Sequence, residues 1–336
     1  MYYYDSDISL EVMLLFVRIP DGAIMRVIVA KPRGFCAGVD RAIDIVEKAL
    51  DQYGPPIYVR HAIVHNKRVV DSLKDKGVVF VEALDEIENK NARVIFSAHG
   101  VSPAVFEEAS FKNLQVVDAV CPLVTKVHNE VRHYADLGYT IILIGHRNHV
   151  EVIGTSGEAP DKVVIVESVE EAKRLEIPNP EKVAYVTQTT LSVDDTKDIL
   201  ETLKERFPKI LSPSKLDICY ATQNRQDAVK ELSKLSDVIF IMGSPESSNS
   251  NRLVEVAKAH GVENAYLIEG AENLDVKMFH DCPVIGLSSG ASTPEIVVRE
   301  VIKRLKEFGA LEVEELEGKD EYTRFPFPES LEFSNN

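Results

Sequence analysis

A chain of 336 residues with 45% apolar side chains, 17 glycines and 16 prolines is ordinary globular material, long enough for two or three compact units. Its net charge of −16 repels nucleic acid, and no Lys/Arg run of useful length offsets it. No apolar run nears the roughly 18 residues of a membrane span, so an anionic ligand would need a site built locally from backbone N–H groups, imidazoles and hydroxyls.

Residues 1–24 lack a basic leading segment and a small-residue cleavage site, and they contain Asp5, Asp7 and Glu11. That argues against a secretory signal. Met25 opens a run that begins like a first core strand, so 1–24 are expected to be an extension without a catalytic role. Residues 27–30 read as a strand. Residues 39–53 read as a helix with Ile43, Val46, Ala49 and Leu50 on one face and Gly54 beyond its end. Further strands are expected in the runs IYV, VIFSA, QVVDAV, TIILIG, VVIV, VAYVT, LDI, DVIFIMG and PVIGLSSG. Helices fall between most of them and close at Gly77, Gly138, Gly261 and Gly309. This alternation predicts an α/β protein. The expected division is an α/β domain over 25–121, a second over 122–214, a third over 215–310 and a tail over 311–336. Neither a Gly-x-Gly-x-x-Gly turn nor a Gly-x-x-x-x-Gly-Lys-Ser/Thr loop occurs, so a dinucleotide or P-loop site is unsupported.

The four cysteines are too few for a disulfide framework. Cys36, Cys121 and Cys219 each follow an expected strand and precede an expected helix, 85 and 98 residues apart. This pattern predicts three similar units, each presenting a thiol at the carboxyl end of a strand, where helix N-termini favour thiolates and anions. Cys282 precedes its strand and is excluded. Position alone leaves two readings open, three converging metal ligands or three buried small hydrophobes. Local Cys-x-x-Cys spacing is absent, which counts against a zinc finger and against ferredoxin-type loops.

The same edge collects polar residues. The expected strand ends carry His65 with Asn66, then His99, then His146, His149 and Glu151, then Thr187, Thr189 and Thr190. Ser247, Ser248 and Asn249 follow in the next, and Ser288, Ser289 and Ser292 in the last. Apolar strands that stop repeatedly in His, Ser, Thr or Asn describe a donor-lined face suited to phosphate. Singly, many of these are helix caps: Ser192 with Asp195, Thr293 before Pro294, and Asn66. His61 and His65 have the spacing of a helical zinc pair, but their β-branched surroundings argue for a strand.

Nine motifs in order resemble the IspH (LytB) family over 25–324: PRGFCAGVDRA, YVRHAIVHN, FSAHGVSP, DAVCPLVTKVH, GHRNHVEVIGT, VTQTTLSVDDT, ICYATQNRQ, GSPESSNSNRL and SSGASTPE. The resemblance implies three α/β domains in a pseudo-threefold arrangement around a central 4Fe–4S cluster. It implies Cys36, Cys121 and Cys219 as the ligands, with one iron left open to the substrate's hydroxyl. By the same likeness His65, His99, His149, Ser247, Ser248, Asn249 and Ser292 hold a diphosphate, and Thr189 with Glu151 delivers protons. The implied reaction is the two-electron reductive dehydroxylation of 4-hydroxy-3-methylbut-2-enyl diphosphate to isopentenyl and dimethylallyl diphosphate, closing the non-mevalonate isoprenoid pathway. A ferredoxin or flavodoxin donor is implied as well. A plastid enzyme would need a longer Ser/Arg-rich leader, so a bacterial cytoplasmic setting is expected. Val150 stands where the family usually writes Pro between the His and the Glu, which loosens that loop while keeping both side chains. Two other classes compete: a non-catalytic metal protein whose thiolates and a His close a structural or sensing site, and a phosphate-ligand hydrolase with irrelevant cysteines.

Overall fold

The computed structural model describes residues 24–331. The expected extension, apart from Ile24, lies outside them, as do the last five residues of the expected tail. In chain order the first elements are β1 (Arg26–Val29), α1 (Ala37–Tyr53), β2 (Ile57–Arg60), α2 (Lys67–Asp75), β3 (Val78–Val81), β4 (Arg93–Phe96), α3 (Pro103–Phe111) and β5 (Gln115–Asp118). There follow α4 (Pro122–Asp136), β6 (Thr140–Ile144), α5 (Val150–Ser156), β7 (Val163–Val166), α6 (Val169–Arg174), β8 (Val183–Thr187) and α7 (Val193–Arg206). The last are α8 (Tyr220–Ser233), β9 (Val238–Met242), α9 (Ser248–Ala259), β10 (Ala265–Ile268), β11 (Val284–Ser289), α10 (Glu295–Glu307) and β12 (Glu312–Glu315).

All strand pairings among these elements are parallel, and the protein is α/β as its alternation predicts. One compact unit comprises 24–35 and 224–321, and holds a sheet of order β10-β9-β11-β1-β12. The other comprises 36–223 and 322–331, and holds two sheets, β3-β2-β4-β5 and β7-β6-β8. Both faces of the five-stranded sheet are covered: Val27, Val29, Phe240 and Leu287 pack with Val298 and Val301 of α10, and Ile28, Ile239 and Ile241 pack with Val229 of α8 and Leu253 of α9. That double covering is why the strands read as continuous apolar runs rather than alternating ones. Gly77, Gly138, Gly261 and Gly309 sit just beyond helix ends with φ of 96°, 81°, 95° and 105°, the left-handed geometry that lets a helix stop.

The three sheets share one plan, in which a strand is flanked by its two successors (β3-β2-β4, β7-β6-β8, β10-β9-β11). A further chain segment lies beside the last strand of each trio. It is β5 beside β4, β1 beside β11, and beside β8 only the single bridge from Ala184 to Leu211. Each of these segments leads into one candidate cysteine, β5 to Cys121, β1 to Cys36 and Leu211 to Cys219.

Several expectations need correction. The run LDI forms no strand: Leu216 is exposed, and the Asp217 carboxylate takes the N–H of Thr187 (2.8 Å) that a neighbouring strand's carbonyl would accept. Cys219 therefore follows a loop. Thr293 caps no helix, because its hydroxyl donates to the carbonyl of Met242 (3.0 Å) and Pro294 holds the cap position. Strands β2, β4 and β6 stop before the histidines, which sit in the loops beyond them. Asn66 and Ser192 do cap, accepting from Val69 N (3.1 Å) and Asp195 N (3.1 Å). Strands β3, β10 and β12 have no counterpart among the expected runs; β12, EVEE, is three-quarters acidic and exposed along its length, so it lacks the apolar run that marks the others.

Candidate functional site

In open parallel sheets, ligands bind at the carboxyl ends of the strands, where the connections diverge to either side. Each trio has one such point, and the candidate polar residues line it. In the four-stranded sheet it falls between β2 and β4, whose loops bring His65 and His99 together with ring centroids 4.3 Å apart. In the three-stranded sheet it falls between β6 and β8. The loop after β6 carries His149, whose ring lies 5.6 Å from His65 and 6.0 Å from His99, followed by Glu151 in the first turn of α5. The loop after β8 carries Thr189.

Glu151 is buried at 3% exposure. It accepts two hydrogen bonds from Thr189, from the backbone N (2.6 Å) and from Oγ1 (2.9 Å). Burial raises its pKa to about 7 even against those bonds, so near neutral pH it stands between acid and base. The imidazoles move the other way. Burial and the neighbouring rings lower His149 to about 4 and push His99 well below the usual histidine range, so both are neutral donors and acceptors. His99 Nδ1 is bonded to Ser97 Oγ (3.2 Å), and His149 Nδ1 accepts from Glu151 N (3.2 Å). Val150 occupies the first position of α5, where a proline would be favourable but is not required, so the helix forms with His149 as its cap.

The three thiols lie in the same unit. Cys36 and Cys121 cap the N-termini of α1 and α4, and Cys219 immediately precedes α8. A Cβ placed on Gly38 would lie 2.7 Å from Cys121 Sγ and 3.9 Å from Cys36 Sγ, so only glycine leaves that space clear. Cys219 Sγ accepts from Thr222 N (3.4 Å) and shares a hydrogen bond with Thr222 Oγ1 (3.1 Å). Burial, reinforced by Cys36, pushes the Cys121 thiol up to about 12 and the Cys219 thiol up to about 11. Such thiols become thiolates only where a cationic centre balances them. Among the described residues, no three His, Cys, Asp or Glu are gathered closely enough for one metal ion. A polynuclear iron–sulfur group instead spreads its ligands over several metal atoms, and the cleared space at Gly38 between two half-buried thiols, whose negative charges would need a cationic centre, fits it. Thr189 joins the two chemistries: its carbonyl accepts from Cys219 N (3.1 Å) while its N–H and hydroxyl bind Glu151.

The other unit carries its own polar edge at the point between β9 and β11. Ser247 caps α9, accepting from Ser250 N (3.3 Å) and Ser250 Oγ (3.0 Å). Ser248 opens that helix and Asn249 follows it, while Ser292 is buried in the loop after β11. Asn249 is 4% exposed, and neither side-chain polar atom finds a partner among the described residues; the same holds for Ser288 Oγ. Buried amides are ordinarily hydrogen-bonded, so two open atoms mark Asn249 as a candidate contact for a ligand or a water.

Reasoning from sequence missed Asp217, His128 and Ser97. Asp217 is fully buried between Lys126 Nζ (2.6 Å) and Thr187 N (2.8 Å), and only its place two residues before Cys219 could have marked it. His128 is paired with Glu158 (2.7 Å), deep in the helix that Cys121 opens.

The fold and this constellation define an α/β protein whose parallel sheets present an acid–hydroxyl pair, three imidazoles and three thiols beyond their carboxyl ends. The chain is 54% identical over 309 residues to 4-hydroxy-3-methylbut-2-enyl diphosphate reductase 2 of Burkholderia mallei, covering 92% of this chain and 94% of that one. It is likewise 54% identical to the reductase of the same name from Pseudomonas aeruginosa, covering 91% and 98%. The solved structure of the E-1-hydroxy-2-methyl-but-2-enyl-4-diphosphate reductase from Plasmodium falciparum superposes with a TM-score of 0.88 at 40% identity, over 92% of this chain and 97% of that one. A family model for LytB protein matches residues 27–306, and the chain belongs to the LytB family.

Proposed function

We propose that the chain is a 4-hydroxy-3-methylbut-2-enyl diphosphate reductase, yielding isopentenyl and dimethylallyl diphosphate as the last step of the non-mevalonate isoprenoid pathway. The observation that carries this reading is the run from Glu151 through Thr189 to Cys219, which ties a buried acid poised near neutral pH to one of the three candidate thiols. Neither a closed structural metal site nor a hydrolase has use for that connection.

In this reading Cys36, Cys121 and Cys219 hold one 4Fe–4S cluster. When bound, the cluster supplies electrons one at a time and, at the iron without a cysteine, Lewis acidity toward the allylic hydroxyl. The overall change consumes two electrons and two protons, breaks the C–O bond, forms a C–H bond and releases water. Hydroxide leaves poorly, so a proton must reach the departing oxygen. Glu151, with its pKa at about 7, keeps a proton available near neutral pH, and the Thr189 hydroxyl beside it relays that proton. The neutral rings of His99 and His149, with His65 beside them, offer N–H donors to the diphosphate. Ser247, Ser248, Asn249 and Ser292 complete the phosphate contacts, and the open amide of Asn249 supports that role. A ferredoxin or flavodoxin in a reducing cytoplasm is the donor that one-electron delivery calls for.

The test is anaerobic turnover of 4-hydroxy-3-methylbut-2-enyl diphosphate with a chemical one-electron reductant, with iron content and the visible spectrum read on the same sample. An iron-rich protein forming both five-carbon diphosphates is expected. A fully reconstituted, iron-bearing protein that leaves the substrate intact would sink the proposal.

A further inference from the structure

Each of the three cysteines opens a helix, and each helix carries a cation about a turn and a half further on: Arg41 after Cys36, Lys126 after Cys121 and Arg225 after Cys219. None of the three has a part in the chemistry above. Arg41 Nη1 donates to the carbonyl of Val120, the residue before Cys121 (3.0 Å). Lys126 Nζ donates to the carbonyl of Lys215 (2.7 Å) and to Asp217 Oδ1 (2.6 Å), in the loop that enters Cys219. Arg225 Nη2 donates to the carbonyls of Gly34 (2.7 Å) and Phe35 (3.3 Å), the two residues before Cys36. The helix after one cysteine thus holds the backbone that enters the next, from 36 to 121, from 121 to 219, and from 219 back to 36.

Packing alone does not account for these contacts. Arg225 is 0% exposed, and a guanidinium so buried is costly unless its donors are matched; here two carbonyls and Glu321 (3.1 Å to each oxygen) match them. An apolar side chain would fill such a volume more cheaply. What the cation adds is a directional hold on a carbonyl next to a thiol, together with positive charge near a centre that carries thiolates.

We propose that Arg41, Lys126 and Arg225 are positioning residues for the iron–sulfur cluster, each fixing the backbone from which the next cysteine presents its sulfur. The inference rests on the cluster reading given under Proposed function.

The experiment uses the full chain, reconstituted anaerobically, and reads the rate of iron release to a chelator together with the electron paramagnetic resonance signal of three-iron clusters in oxidised samples. Lys126→Met is expected to release iron roughly tenfold faster and to show the three-iron signal. Lys126→Arg should restore the wild-type rate. Because Lys126→Met also leaves Asp217 and Glu130 without their cation, Arg41→Met serves as a second variant and should release faster as well. Arg132 lies on the same helix as Lys126 and pairs with Glu158 beyond α5, and Arg132→Met, which removes that pair, should release at the wild-type rate. Wild-type rates in both Lys126→Met and Arg41→Met would overturn the proposal. So would an Arg132→Met variant as fast as Lys126→Met, since any loosening of α4 would then suffice. A wild-type chain that takes up no iron overturns the cluster reading itself, a result visible before any variant is compared.

Discussion

Glu151 shows how a single residue acquires a role from its surroundings. A carboxyl in water would be ionised at neutral pH, but burial raises this one to about 7. If it supplies the proton, the acid form is the active one, so turnover should be maximal below pH 7 and fall as pH rises through that value. Glu151→Gln cannot supply a proton; kcat should drop by roughly 10²–10⁴-fold with little change in KM, and the limb near pH 7 should vanish from the residual rate. Steady-state kinetics across pH 5.5–9 would check this, and a variant retaining the wild-type profile would remove Glu151 from the chemistry. His65, His99, His149, Glu151 and Thr189 were legible in sequence because they are polar residues at the ends of apolar runs. Asp217 was not, since one acid in a loop looks like any other until its burial and its bonds to Thr187 and Lys126 are seen.

Local elements decide how those residues are presented. The first turn of α1 must pass beside Cys121, and Gly38 makes that approach possible. In Gly38→Ala the new methyl would overlap Cys121 Sγ, so the helix should persist while iron binding falls severely. Far-UV circular dichroism and an iron assay on one sample would test it, with full iron loading as the outcome that contradicts it. The sequence placed this helix at 39–53 with Gly54 beyond it, and α1 spans Ala37–Tyr53 with Gly54 at its cap. Its face was read less well: Ala42 and Ile45 are buried, while Ile43 and Leu50 are only partly so. The LDI segment failed as a strand for a different reason, because its aspartate took over a backbone N–H from β8.

At the scale of the molecule, β1 is the informative element. It lies between β11 and β12 with Val27 and Val29 in the core, although it is the first strand of the described residues and its partners are among the last. A protein begun at Met25 keeps the whole of β1 and should melt within a few degrees of the full chain. One begun after Ala30 uncovers β11 and β12 and should be largely insoluble, because exposed strand edges aggregate. Solubility and thermal melting of the two truncations separate these outcomes. The predicted division placed residues 27–30 with the segment that follows them. The hydrogen bonds of β1 are instead with strands far along the chain, Arg26 pairing with Val284 and with Glu312.

Local periodicity, glycine geometry and polarity were enough to reveal the α/β alternation, the helix stops and the residue types at the strand ends. The sequence also carried the family, through motifs spread over most of the chain. The folded chain was needed to see that β1 joins the sheet of β9–β11, that Glu151 is paired with Thr189 and joined through it to Cys219, and that three helix-borne cations bond the backbone before the next cysteines. These depend on contacts between residues far apart in sequence and on burial that moves proton affinities, and neither leaves a mark in a local window.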